Sequence, residues 1–488
     1  FYTLTMAALM LIGAKLCAKW GLLRAFSIGA VVYGIGSLIT GFSQNIQMLM
    51  IGWSLIEGLG AVLVIPAIAA LVATNYKGKD RVLAYAIIGG VSGAAAAAGP
   101  LIGGYVTTYF SWRYVFIVET IIMIGVLIFA KKFKASKPDP SQKIDIPSAL
   151  LSAFGMTLLV YGLLQSKVWG WITPLATPEI AGHEIAPLGI SIVAYLIIGG
   201  VVLLKLFYDR QIDMEKSNRQ PLVMLSMLKI QQLRSGLAVL GSQYIITAAI
   251  FFVVPVYLQM VHGLDALETG LKIFPLSIAL ITFSMIGARF AKTKTPRRIV
   301  RIGQVLLIFG SIGLLVAIKP DSTGWTFGVA MFAVGAGLGL LASQLGNVNM
   351  SAVDESKTNE VGGLQGSFQN LGSSLGTALI GSVLITTLTT GFITNINNSD
   401  LPNDVKTTIT SNSSTGVEIV PIDSINQIAI DNGLSQQQAD TITNDYLNAQ
   451  LDGLKQSIFF LVVLSVFSLA LSRGIPNTLV ASSSKKAT

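Results

Sequence analysis

The strongest constraint on this chain is a succession of apolar runs, each about as long as a bilayer core is thick, from the first residue almost to the last. A backbone surrounded by lipid must satisfy its own hydrogen bonds, so runs of this length read as helices. They fall near 1–18, 25–43, 47–74, 81–106, 114–130, 146–165, 187–207, 235–260, 267–290, 300–318, 323–350, 360–389 and 457–472. The fold class expected is an all-α polytopic membrane protein with thirteen visible transmembrane helices. Composition agrees, since only 12% of the 488 residues are charged and the mean hydropathy is +0.68.

A formal charge of +9 raises nucleic acid as a partner. The basic residues argue against it, because they sit in short connections between apolar runs, where they act as topology signals. Alternate connections on one side hold nearly all of the 33 Lys and Arg, leaving Arg113, Lys167, Lys319, Lys406 and Lys455 to the other and Lys272 within a run. Basic loops face the cytoplasm. The reading is therefore a cell-membrane protein in the lipid bilayer, with Phe1 outside and Thr488 in the cytoplasm. An odd number of helices with an external start predicts one helix before Phe1 and fourteen in the parent protein.

Cys17 is the only cysteine, so no intrachain disulfide is expected. His183 and His262 lie outside the runs and make no zinc ligand set. With no GxxxxGK[ST] loop, no HExxH and no paired histidine–carboxylate cluster, neither an ATP-driven pump nor a membrane enzyme is indicated, and no cofactor is expected.

A glycine frame occurs twice. Shifted by 273 positions, Gly89, Gly90, Gly93, Gly99 and Gly103 superpose on Gly362, Gly363, Gly366, Gly372 and Gly376. Coincidence without a gap indicates a duplicated unit. The chain then divides into a first half (1–135), two inserted helices with a cytoplasmic segment (136–233), a second half (234–474) and a tail (475–488). The second half carries a polar outer loop at 390–456, where short amphipathic helices are expected. Gly89, Gly93, Ala96, Pro100 and Gly103 share one helical stripe, which lets a neighbouring helix approach closely in lipid.

The motifs around these glycines carry a resemblance. GAAAAAGPLIGG (93–104) followed by SWRYVF (111–116) resembles the fifth-helix motif of exporters in the major facilitator superfamily. EGLGAVLVIPA (57–67) resembles the fourth-helix motif, and AKLCAKWGLLR (14–24) the cytoplasmic motif between helices two and three. The stretches 143–171 and 360–381 resemble the fourteen-helix drug:proton antiporter branch. The resemblance implies a monomeric, two-half bundle that exports lipophilic, in part cationic, small molecules against protons by alternating access. It implies gating or interface roles for Lys19, Arg24, Gly93, Gly99, Pro100, Gly103, Gly366 and Gly372. The family pattern has an aspartate at Ala18, basic residues at Leu22 and Leu23, an arginine at Ser54, a glutamine at Glu57 and more often an asparagine at Glu119. An exporter or flippase of an endogenous lipid or metabolite is the alternative within transporters. A receptor or scaffold on the same fold is the alternative outside them.

Glu57 stands near mid-membrane, where an ionised carboxylate costs about 2.5–3.5 kcal/mol. It is read as a proton-coupling group, or as a packing residue serving as a glutamine would. Glu119 is read as a second protonatable site or as the partner of a nearby donor. Gln243, Tyr244, Gln369 and Asn370, with Asn347 and Asn349, lie deep in second-half runs. They line a substrate path or cross-link helices. Glu268 and Lys272 are read as a local ion pair.

Overall fold

The computed structural model describes residues 1–76, 78–130, 132, 138–180, 183–320, 324–354, 357–413 and 416–478, with Gly89, Gly90 and Gly93 among further positions outside the description. The chain opens with α1 (Tyr2–Trp20) and α2 (Leu22–Gly41), joined by Gly21 alone at φ 86°, a left-handed conformation that suits glycine. A short α3 (Ile46–Leu49) leads through a π-helical stretch, Met50–Glu57, into α4 (Gly58–Asn75). Then come α5 (Gly78–Tyr109), α6 (Arg113–Ala130), α7 (Ile146–Trp169) and α8 (Ile192–Lys216). Further on lie α9 (Gln231–Val256), α10 (Ala266–Phe290), α11 (Pro296–Ala317), α12 (Trp325–Met350) and α13 (Thr358–Asn398). The last three are α14 (Asn403–Ser413), α15 (Ile422–Asp431) and α16 (Gln436–Leu471).

Among the described residues, twelve helical segments are long and apolar enough to cross a membrane. They match the sequence runs one for one, and the thirteenth run, 81–106, falls within the 32-residue α5. The polar connection is shorter than 390–456, because α13 continues to Asn398 and α16 begins at Gln436. Between them α14 and α15 pack on the extended helix ends through Phe392, Ile396, Leu401, Ala429, Ile442 and Tyr446. Two residue pairs form a small antiparallel ribbon, Glu179–Ile180 with His183–Glu184.

Helix α7 packs on both α1 and α13, and α8 packs chiefly on α7. The segment after α8 tucks under the bundle, burying Leu222, Val223, Leu225 and Met227 against Leu233, Val361 and Leu364. The buried Gln211 holds it, accepting from the Leu222 amide at 2.7 Å and donating to Ser148 Oγ at 2.7 Å. Glu268 closes the capping box of α10, accepting from the Asp265 amide at 3.0 Å while Asp265 accepts from its own. Capping is thus one task of this carboxylate, beside the pairing with Lys272 expected from spacing.

Candidate carboxylate site between the second and sixth helices

The site begins with the faces that α2 presents. Gly29, Tyr33, Gly36, Ser37 and Thr40 recur at intervals of three and four, so they share one side of that helix. At Gly36 the Glu57 backbone comes so close that a Cβ would lie 2.4 Å from its nitrogen, and at Gly60 a Cβ would lie 2.4 Å from the Tyr33 nitrogen. Glycine at both places lets the π-helical stretch press against α2, and the carboxylate that closes it enters the bundle with 2% of its surface exposed. π-Helical turns recur at functional sites.

Ser37 Oγ donates to Glu57 Oε2 at 2.9 Å and lies 3.4 Å from Glu119 Oε2, which α6 supplies from the other side. The half-buried Tyr33 hydroxyl donates to Glu119 Oε1 at 2.5 Å. A serine hydroxyl has one hydrogen and can serve one carboxylate at a time. Tyr33, Glu119, Ser37 and Glu57 therefore form one unbroken chain of exchangeable groups, in which two carboxylates contend for a single donor. The two glutamates read separately from sequence are thus brought together. Tyr33 and Ser37 were missed, although their i, i+4 spacing inside an apolar run was a usable signal. Beside the carboxylates, Tyr2 stacks on Trp53 at 6.0 Å and Trp53 meets Phe116 edge-on at 5.5 Å. Arg113 anchors the start of α6 by donating to the Ser43 carbonyl at 2.9 and 3.2 Å.

The other expected residues lie apart from this pair. Lys19 and Arg24 flank the Gly21 turn, with Arg24 exposed. Ser54 is buried and reaches only Met50 Sδ, at 4.0 Å. Pro100 stands at the crossing of α5 with α10, its carbonyl 2.6 Å from a Cβ built on Gly270. A Cβ on Gly99 or Gly103 meets nothing within 4 Å among the described residues, whereas one on Gly104 would lie 2.6 Å from the Ala266 carbonyl. Gly93 lies outside the described positions. Gly366 abuts Met10 of α1, and Gly372 abuts the Gly241 carbonyl of α9.

Of the second-half polar residues, Gln243 is buried with Oε1 unpartnered, and Tyr244 packs at the α9–α13 crossing beside Gly372. Asn370 turns back on its own helix, donating to the Gly366 carbonyl at 2.8 Å, while Gln369 is half-buried. Asn349 is buried with both amide atoms unpartnered.

A polytopic bundle that buries a carboxylate among its first helices, and whose long helices cross at small residues, has the build of a membrane transporter. The profile of the Major Facilitator Superfamily matches residues 1–377, and the chain belongs to that family. It is a transporter of small molecules and not an enzyme. Among its relatives is the methylenomycin A resistance protein of Bacillus subtilis, 25% identical over 387 residues, covering 78% of each chain. The probable actinorhodin transporter of Streptomyces coelicolor is 25% identical over 390 residues, 78% of this chain and 64% of that one. Among solved structures, the human organic anion transporter MFSD10 (TETRAN) superposes with a TM-score of 0.56 at 12% identity, over 97% of this chain and 82% of that one. That likeness is one of fold.

Proposed function

We propose that this protein exports lipophilic small molecules, cations among them, in exchange for protons. The observation that carries the reading is the pair Glu57 and Glu119 joined through Ser37. Two carboxylates in contact with one hydroxyl inside a low-dielectric bundle repel when both are ionised, so they hold a proton between them. A cation arriving beside them supplies the competing positive charge and favours release of that proton. The rings of Tyr2, Trp53 and Phe116 offer aromatic faces and edges next to the carboxylates, which suits a flat lipophilic cation. Likeness to a methylenomycin A resistance protein and to the tetracenomycin C resistance and export protein of Streptomyces glaucescens supports the outward direction.

Movement is by rocking of residues 1–135 against 234–474, with the inserted helices at the seam. In this reading the C-terminus lies in the cytoplasm of a cell-membrane protein, an orientation the basic loops support, and the protein acts as a monomer. The test is uptake of ethidium into liposomes carrying the full protein under an imposed pH gradient. Gradient-driven uptake is expected in the wild type and at background in Glu57→Gln and Glu119→Gln, with ethidium binding retained. Wild-type uptake in both variants would overturn proton coupling by this pair. Phospholipid translocation without ethidium transport would favour the lipid-flippase alternative.

A further inference from the structure

The geometry points to a binding site for an anionic phospholipid at the basic end of α11. Arg297, Arg298 and Arg301 line an open cleft of about 520 Å³ together with Ile302, Val305 and Asn477. Like charges gathered this way repel unless an anion joins them, and among the described residues none of the three has a carboxylate partner. Their anchors are neutral. Arg297 Nε donates to the Ile475 carbonyl at 2.7 Å and Arg301 Nε to Ser472 Oγ at 3.2 Å. A guanidinium carries five N–H donors, so both keep most of theirs for a ligand, and Arg298 is exposed. The preceding sequence adds cations and no anion, with Lys292 and Lys294 before the helix.

The ligand needs a tail as well as a charge. Beyond the arginines, Ile302, Val305, Phe309, Ile312 and Val316 are all exposed and recur at three and four positions, one stripe along the spanning part of α11. The cleft opens onto the start of that stripe. A phosphate head between the arginines and an acyl chain along the stripe satisfy both halves of the surface, and basic pockets on this face of membrane proteins recognise such heads. A free phosphate would use only the first half.

The test uses the full protein in neutral detergent with phosphatidylglycerol, phosphatidylcholine of the same chains, or glycerol 3-phosphate. Bound lipid is read by native mass spectrometry and stability by thermal midpoint. Phosphatidylglycerol is expected to stay bound and raise the midpoint, and the other two are not. Arg298→Gln makes no change to the described hydrogen bonds, so its lipid-free midpoint should equal that of the wild type while phosphatidylglycerol retention falls roughly fivefold. Arg298→Lys should restore most of it. Equal retention of phosphatidylcholine, equal protection by glycerol 3-phosphate, or wild-type retention in Arg298→Gln would each overturn the assignment.

Discussion

Ser37 is fully buried, with one hydrogen and a carboxylate on either side. If the pair works as a unit, Ser37→Ala removes the bridge while leaving both charges in place. A hydrogen bond to a charged group contributes about 1.5–3 kcal/mol, so gradient-driven transport should fall roughly tenfold or more. An unaltered transport rate would show that Glu57 and Glu119 act separately. Both glutamates were legible in the sequence, because a charge inside an apolar run is costly and demands a reason. Their companions were not. Serine and tyrosine cost little in a span, and Tyr33 meets Glu119 across 86 positions, a distance only folding reveals.

Among the elements, the spans were legible from length and hydropathy because lipid leaves the backbone few options. The ends of α13 and α16 were not, since beyond the bilayer their apolar residues thin to one face and the rest reads as loop. The start of α7 shows how such ends are held. Asp145 caps the helix by accepting from the Ser148 amide at 2.9 Å, and it pairs with Arg210 through contacts of 2.7 and 2.8 Å. The Arg210 guanidinium holds this carboxyl well below the usual carboxylate range. A carboxyl so lowered contributes stability above its ordinary titration range and loses it as pH falls through the lower folded value. Asp145→Asn keeps a capping oxygen and loses the pair, which is partly exposed, so it should cost at most about 1 kcal/mol. Asp145→Ala loses the cap as well and should cost about 1 kcal/mol more. Thermal midpoints in detergent at neutral pH should rank wild type, Asn, Ala. The gap between wild type and Asn should begin to narrow below about pH 4 and go on narrowing as pH falls toward the lower folded value. A gap that persists there would assign the stability to the cap alone.

At the scale of the molecule, the repeated glycine frame led to the expectation of two related halves, but which glycine touches which neighbour depends on helix rotation and was not readable. Helices of residues 1–135 meet those of 234–474 chiefly where α1 lies on α13 and α5 on α10, and these two crossings differ in stiffness. At α1–α13 a Cβ on Gly366 would meet Met10 Cγ at 2.7 Å and Sδ at 2.9 Å, side-chain atoms that can adjust by rotation as a backbone cannot. At α5–α10 a Cβ on Gly270 would meet the Pro100 carbonyl oxygen at 2.6 Å and its carbon at 3.0 Å, backbone atoms that cannot yield unless the helices part. If rocking separates α5 from α10, a single methyl at Gly270 biases the protein toward the parted state, while the same methyl at Gly366 is absorbed. Gly270→Ala should therefore slow transport, leave membrane insertion intact and open the crossing, and Gly366→Ala should transport nearly as the wild type does. The opening can be read with an impermeant maleimide on Ala266→Cys. The only native thiol, Cys17, is 1% exposed and donates to the Leu63 carbonyl at 3.4 Å, so background labelling is low. Labelling of the added cysteine should rise in the Gly270→Ala background and stay level in the Gly366→Ala background. Equal labelling in both would mean that the two crossings move as one rigid seam, and the hinge would have to be sought within the halves instead.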